Sequence, residues 1–281
     1  MNRIHVDDII ENVKEMCIEA NHFLSPDMRE VLDRAQVTEK SPLGREILGQ
    51  LQENLQIAGS DMIPICQDTG LAVVFAELGQ DVQIVGGNLT DAINQGVHRG
   101  YVEGYLRKSA VKDPIDRVNT GDNTPAIIHY DVVPGDKLTI TIAPKGAGSE
   151  NMSRIFMLKP ADGIEGVKAA ILETVKAAGP NACPPMVVGV GVGGNFEKAA
   201  IMAKKALTRP LDVKPEQQYV RDLEEEMLKK INGLGIGPAG LGGTTTALAV
   251  NIETYPTHIA MLPVAINICC HVNRHARRVL G

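Results

Sequence analysis

The chain has 281 residues, of which 44% are hydrophobic, 22% charged and 3% aromatic, with no tryptophan and a formal net charge of -6. That length allows one large domain or two ordinary ones with a full core; the shortage of aromatics argues against a base-stacking surface, and the negative charge argues against duplex nucleic acid or an anionic membrane, both of which reward a basic face. Five cysteines, an odd number in a chain whose first residues carry acids and no apolar run, fit a cytoplasmic protein whose thiols fill the core, catalyse or bind metal, in place of a disulfide framework.

In chain order, Val6, Ile9, Ile10, Val13, Met16, Cys17 and Ala20 recur on one helical face, which makes Cys17 a core residue. Ser25-Pro26 and Ser41-Pro42 each set an N-cap before a proline at the first helical position, so two further helices are expected, ending near Gly59. Residues 1–60 thus form a helical front. It leads to Cys66-Gln67-Asp68-Thr69-Gly70, where a soft metal ligand stands beside an amide, a carboxylate and a hydroxyl on one turn. The apolar segments on either side, Met62 to Ile65 and Leu71 to Phe75, are expected to be buried and to hold the turn rigid. The plain alternative makes Cys66 a small core residue and Asp68 a turn former.

Strands are expected at 71–75 and 82–85, followed by a helix from Thr90 to about Ala110. Arg107 and Lys108 then fall near its C-terminal end, where basic residues ordinarily offset the helix dipole. Ala126 to Val133, Pro134-Gly135-Asp136 and Leu138 to Ala143 predict strand, turn and strand. The run Lys145 to Asn151 suits either a loop whose backbone N–H groups face an anion or a flexible connection. A helix over Ala161 to Ala178 leads to Cys183, which Pro184 and Pro185 stiffen.

Gly189, Gly191 and Gly194 match G-x-G-x-x-G between a strand, Met186 to Val188, and a helix, Phe196 to Leu207, which is a dinucleotide-binding pattern. The polar, proline-broken run Leu211 to Gln218 weakens it. Gly235, Gly237 and Gly240 repeat the match without a helix behind them, since a charged helix, Tyr219 to Ile231, precedes them and a strand, Thr244 to Ile252, follows. His258 stands ahead of the apolar segment Met261 to Ile268, where a structural histidine is the ordinary reading. No segment is long and apolar enough to span a bilayer. The fold class expected from this order is α+β, a helical N-terminal region followed by mixed strands and helices.

Cys66, Cys183 and one of Cys269 and Cys270 are single cysteines on three separate loops, unlike the C-x-x-C pairs of structural zinc sites and ferredoxins. Three dispersed thiolates are what a 4Fe-4S cluster with one open iron requires. Around them stand I-C-Q-D-T-G at 65–70, G-Y-L-R at 104–107, V-N-T-G-D-N at 118–123, A-P-K-G-A-G-S-E-N at 143–151, A-C-P-P at 182–185 and T-H-I-A-M-L-P-V-A-I-N-I-C-C at 257–270. In order, and over nearly the whole chain, these pieces resemble the class I, iron–sulfur fumarate hydratases and their relatives the L-tartrate dehydratases.

The resemblance implies one hydro-lyase domain over residues 1–281, with 61–281 as the cluster-binding and catalytic core. It implies a 4Fe-4S cluster on Cys66, Cys183 and Cys270. Asp68 and His258 would handle the reacting hydroxyl and its proton, and Gln67, Arg107 and the backbone at Gly148 would hold substrate carboxylates. The reaction would be the hydration of fumarate to (S)-malate, a step of the tricarboxylic acid cycle, with L-tartrate dehydration as the alternative. The chain would be an α subunit whose site a β subunit completes, in an α2β2 hetero-oligomer. Two other classes stay open: a nucleotide-dependent oxidoreductase built on Gly189 to Gly194, and a non-catalytic zinc-binding subunit.

Overall fold

Residues 2–281 are described in a computed structural model, and their elements are α+β. In chain order these are β1 (Asn2–His5), α1 (Val6–His22), α2 (Pro26–Thr38), α3 (Pro42–Asp61), β2 (Leu71–Gly79), β3 (Val82–Val85), α4 (Leu89–Glu103), β4 (Ile127–Val133) and β5 (Leu138–Lys145). Then follow α5 (Ala147–Glu150), β6 (Arg154–Leu158), α6 (Gly163–Ala178), β7 (Met186–Gly194), α7 (Phe196–Ala206), α8 (Gln218–Asn232), β8 (Ala247–Thr257), β9 (Leu262–Cys269) and β10 (Ala276–Leu280). The chain divides into two compact units: Met1–Ser25, Leu55–Ala147 and Arg274–Gly281 form the first, Pro26–Asn54 and Gly148–Asn273 the second. Among the described residues no helix is long and apolar enough to cross a membrane.

In the first unit a four-stranded sheet runs β10-β5-β2-β4, with β2 and β4 parallel and the other pairs antiparallel, and β1 pairs with β3 in a separate two-stranded ribbon. The apolar face of α1 packs into the core with α4 and the sheet. Three glycines make the helix crossing close, since a Cβ at Gly96, Gly100 or Gly104 would come within 2.6 to 2.7 Å of Val13, Cys17 or Ile18. Cys17 is fully buried, and burial pushes its thiol up to about 12. It is core, as its place on the helix face predicts.

Two local expectations fail here. The helix expected to reach Ala110 stops at Glu103, because the chain turns at Gly104, Tyr105 takes a left-handed φ of 54° and Leu106 folds back into the core. Arg107 and Lys108 therefore lie off the helix, and the dipole has no bearing on them. The apolar lead-in to the cysteine turn is also not buried as a block: Met62 and Ile63 are 53% and 48% exposed, and only Ile65 enters the core. The strands β1, β6 and β10 are short, and neither their length nor their mixed composition announces them.

The second unit carries a sheet in the order β6-β9-β7-β8, with β7 parallel to β8 and antiparallel to β9. Alternation along β7 explains its glycines. Val188, Val190 and Val192 face the core shared with α6 and α8, while Gly189 and Gly191 face α7, where a Cβ would sit 2.2 Å from the carbonyl oxygens of Ala203 and Ala199. The first G-x-G-x-x-G is therefore mostly strand, and its glycines let a helix lie against the sheet. Only Gly193 and Gly194, at φ 97° and 68°, depart from regular strand backbone, at an irregularity in the pairing with β8 at the end of β7, and Asn195 caps α7 by accepting the N–H of Lys198.

Candidate active site

The turn Cys66 to Gly70 is held from within its own unit by its backbone. Arg274 donates through Nη2 to the carbonyl of Asp68, the Tyr101 hydroxyl donates to those of Thr69 at 2.7 Å and Gly70 at 3.2 Å, and the Asn123 amide donates to that of Gly70 at 3.0 Å. Three successive carbonyls are thus fixed by three buried side chains. Tyr101 lies on α4 in the core, and burial raises its phenol so that it remains a donor. Gly70 is required by its neighbour as well as by its φ of 74°, because a Cβ there would meet the Lys145 backbone at 2.7 Å.

With the backbone fixed, the side chains of the turn present their chemistry outward. Cys66 is half-buried and Gln67 exposed, and the N–H of Asp68 lies 3.4 Å from the Cys66 sulfur. The Asp68 carboxylate accepts the Gly70 N–H through Oδ1 at 3.0 Å and the Ala147 N–H through Oδ2 at 2.8 Å. The anion facing the Ala147 N–H of the 145–151 run is therefore this chain's own Asp68. Both its oxygens already accept, so the side chain has one orientation.

Arg107 sits beside this turn. Its carbonyl accepts the Thr69 hydroxyl at 3.1 Å, and its side chain is exposed. The segment following it is tied down by V-N-T-G-D-N. Asn119 donates to the Lys108 carbonyl at 2.9 Å, and Asn123, fully buried at φ 65°, accepts the N–H groups of Ser109 and Ala110 at 2.7 and 3.0 Å. Asp122 is held in turn. Burial alone would raise its carboxyl, but the Thr124 N–H and hydroxyl and the His98 ring bring it down to about 2.

In the second unit Cys183 and Cys270 come to neighbouring segments. Cys183 is exposed at a left-handed φ of 52°, and its carbonyl accepts the N–H of His271 at 3.3 Å, with the His271 ring Nδ1 at 3.0 Å. Cys269 is the last residue of β9, paired opposite Val187 and 4% exposed, whereas Cys270 lies past the strand end and is half-buried. The second glycine-rich run buttresses the Cys183 loop: Ala239 donates to the Pro184 carbonyl at 2.9 Å, and a Cβ on Gly240 would strike Pro180 at 2.3 Å. That run is itself anchored by Glu39. The 2%-exposed carboxylate accepts the N–H groups of Ser41, Thr244 and Thr245 and the Thr244 hydroxyl at 2.7 to 3.0 Å. Burial would raise this carboxyl, yet those donors hold it at about 2.

His258 is exposed in the turn between β8 and β9, where its Nδ1 accepts the Ala260 N–H at 3.1 Å, and it borders an apolar cavity of about 520 Å³ with Tyr219, Ile259 and Met261. Gly148 is exposed within the single turn α5. Cys66 and its neighbours Gln67, Asp68 and Arg107 thus belong to the first unit, and Cys183, Cys270, Gly148 and His258 to the second. Among the described residues no three or more His, Cys, Asp and Glu side chains form a group that could hold a metal ion. Of the five thiols, Cys66, Cys183 and Cys270 lie on loops and are at least partly exposed, the chemistry that an iron–sulfur donor set requires, while Cys17 and Cys269 are inside the core. The sequence alone does not single out Tyr101, Asn123, Arg274 or Glu39. Only Asn123 lies within a quoted motif, and the rest carry no local signal because their partners are remote in the chain.

A family model, fumarate hydratase (Fumerase), matches residues 10–279. A Methanocaldococcus jannaschii protein provisionally named L(+)-tartrate dehydratase subunit alpha is 42% identical over 276 residues, which cover 95% of this chain and 96% of its own. The L(+)-tartrate dehydratase subunit alpha of Escherichia coli is 32% identical over 273 residues, 96% of this chain and 89% of its own, and that of Shigella boydii is 31% identical over the same shares, 96% and 89%. The match runs through both units and through every motif described above, and the chain belongs to the fumarate hydratase (Fumerase) family.

Proposed function

We propose that this chain is the α subunit of a cytoplasmic iron–sulfur hydro-lyase that interconverts fumarate and (S)-malate, its site completed by a β subunit in an α2β2 assembly. The observation that carries the reading is the turn Cys66 to Gly70, where a reachable thiol, an exposed amide and an oriented carboxylate sit on a backbone pinned at three successive carbonyls. Cys66, Cys183 and Cys270 would hold a 4Fe-4S cluster, whose open iron supplies Lewis-acid polarisation of a hydroxyl. L-tartrate is the second reading, favoured by the names of the relatives.

The chain's own residues have separate tasks. Gln67 and Arg107 bind carboxylate, the guanidinium offering a two-pronged donor, and the backbone at Gly148 adds an N–H. Asp68, with both oxygens already accepting N–H groups, has no freedom to swing, so it orients the reacting hydroxyl or takes its proton at one fixed place. His258, exposed on its turn, is the second proton-handling group. One arginine is too few to neutralise a dicarboxylate, and no base for the substrate carbon stands among these residues. Both roles fall to the partner.

The reading is tested by anaerobic reconstitution. The chain should turn brown and take up about four irons, and fumarate hydration should begin only when the β subunit is added, with tartrate assayed in parallel. A colourless chain with intact thiols after reconstitution would overturn the cluster. Turnover by the single chain, with partner absent by mass spectrometry, would overturn the half-site.

A further inference from the structure

Arg274 is a charged residue only 4% exposed, directly beneath the cysteine turn. The pairing of β10 with β5 places it there, since Ala276 lies opposite Ile142 and the chain just before it runs alongside Pro144. Its Nε donates to the Pro144 carbonyl at 3.2 Å and its Nη2 to that of Asp68. Both acceptors are neutral. Its Nη1 is buried and has no hydrogen-bond partner among the described residues.

A guanidinium held by carbonyls alone is a costly thing to bury, because attraction to an opposite charge ordinarily offsets the loss of water. A neutral residue could fill the same space at less cost, so packing does not account for the charge. What the rigid fork does provide is a fixed spacing between two backbone segments, Pro144 at the end of β5 and Asp68 in the turn. The other two carbonyl anchors, Tyr101 and Asn123, reach only Thr69 and Gly70. Arg274 alone of the three anchors grips the residue that carries the carboxylate.

We infer that Arg274 is the positioning residue of the Cys66 to Gly70 turn: by tying the Asp68 carbonyl to Pro144 it sets the direction in which Gln67 and Asp68 present their side chains. That this direction governs turnover rests on the hydro-lyase reading; the geometry of the turn does not.

The test compares Arg274→Met and Arg274→Lys with the wild-type full chain, free of iron, by amide hydrogen exchange. Loss of the fork should accelerate exchange at the Asp68 and Gly70 amides at least about tenfold in Arg274→Met, while the amides of β2 and β5 stay within about threefold. Arg274→Lys keeps the charge and one donor, so it should fall between, and it carries the test if the methionine variant does not fold. In the reconstituted complex Arg274→Met should lower kcat at least about tenfold with KM within about threefold, and Arg274→Lys should recover part of the loss. Unchanged exchange at the turn, or acceleration across β2 and β5 as large as that at the turn, would overturn the inference, as would a change confined to KM. Failure of the hydro-lyase reading shows separately, as wild-type chain that takes up no iron.

Discussion

Glu39 offers the sharpest test of how the cysteine loops of the second unit are held. Its carboxylate is 2% exposed and stands among four donor groups. Burial pushes the carboxyl up and the donors pull it further down, leaving it near 2 against an ordinary 4.5. Each unit of displacement is about 1.4 kcal/mol, so the interaction is worth on the order of 3 kcal/mol at neutral pH. Glu39→Gln removes the charge and turns an N–H donor toward N–H donors, and it should lose that amount. The measurement is exchange at the Thr244 and Thr245 amides, with denaturant unfolding of the second unit alongside. Because the folded pKa is depressed, the contribution is complete above about pH 4.5 and is lost as the pH falls toward about 2. The gap between wild type and variant should therefore shrink by more than half by about pH 3. A loss under about 1 kcal/mol at pH 7, as for an exposed carboxylate, or a gap that does not narrow in acid, would refute the reasoning.

Cys270→Ser should abolish uptake of the open-iron cluster, while Cys269→Ser, inside the core, should keep iron and most activity; iron analysis of both decides it, and the reverse result would shift the ligand by one position. Arg107→Ala should reduce kcat/KM at least about tenfold in the assembled enzyme, the cost of an unmatched carboxylate, with unfolding unchanged; an effect below about threefold would make it a solvated arginine. Tyr101→Phe leaves the Thr69 carbonyl without its buried donor and should cost about 1–3 kcal/mol, read by thermal unfolding of the first unit.

Much of the candidate site was legible because its proposed chemistry is local. Cys66, Gln67 and Asp68 are consecutive, and a thiol beside hydrogen-bonding groups on a turn is visible without a fold. Cys17 was legible too, since helical spacing alone puts it in the core. What holds the turn was not. Tyr101 and Arg274 lie 32 and 206 residues from the carbonyls they bind, and neither a tyrosine in a helix nor an arginine in a basic tail differs locally from its neighbours. Arg107 was misplaced onto a helix for a related reason: the stop at Gly104 depends on Leu106 returning to the core, which is a tertiary event. The two glycine motifs show how little spacing decides by itself. Their spacing matches a phosphate-binding turn, yet Gly189 and Gly191 serve the approach of α7, and Gly240 serves the loop of Cys183.

The same separation divides the residues proposed to do chemistry from those that hold them. Gln67, Arg107, Cys183 and His258 are exposed, Cys66, Asp68 and Cys270 half-buried, while Thr69, Gly70, Asn123, Tyr101, Arg274 and Glu39 are buried. An exposed group must lose its water before it can bind a carboxylate tightly, since a solvated arginine contributes little. Nothing in either unit's own packing removes that water from Gln67 or Arg107. The buried group fixes geometry in advance, and the exposed group waits for whatever covers it. That is the physical ground for the proposal that a β subunit covers and dries the site, and for expecting substitutions in the buried set to act already on this chain by itself while those in the exposed set act only after assembly.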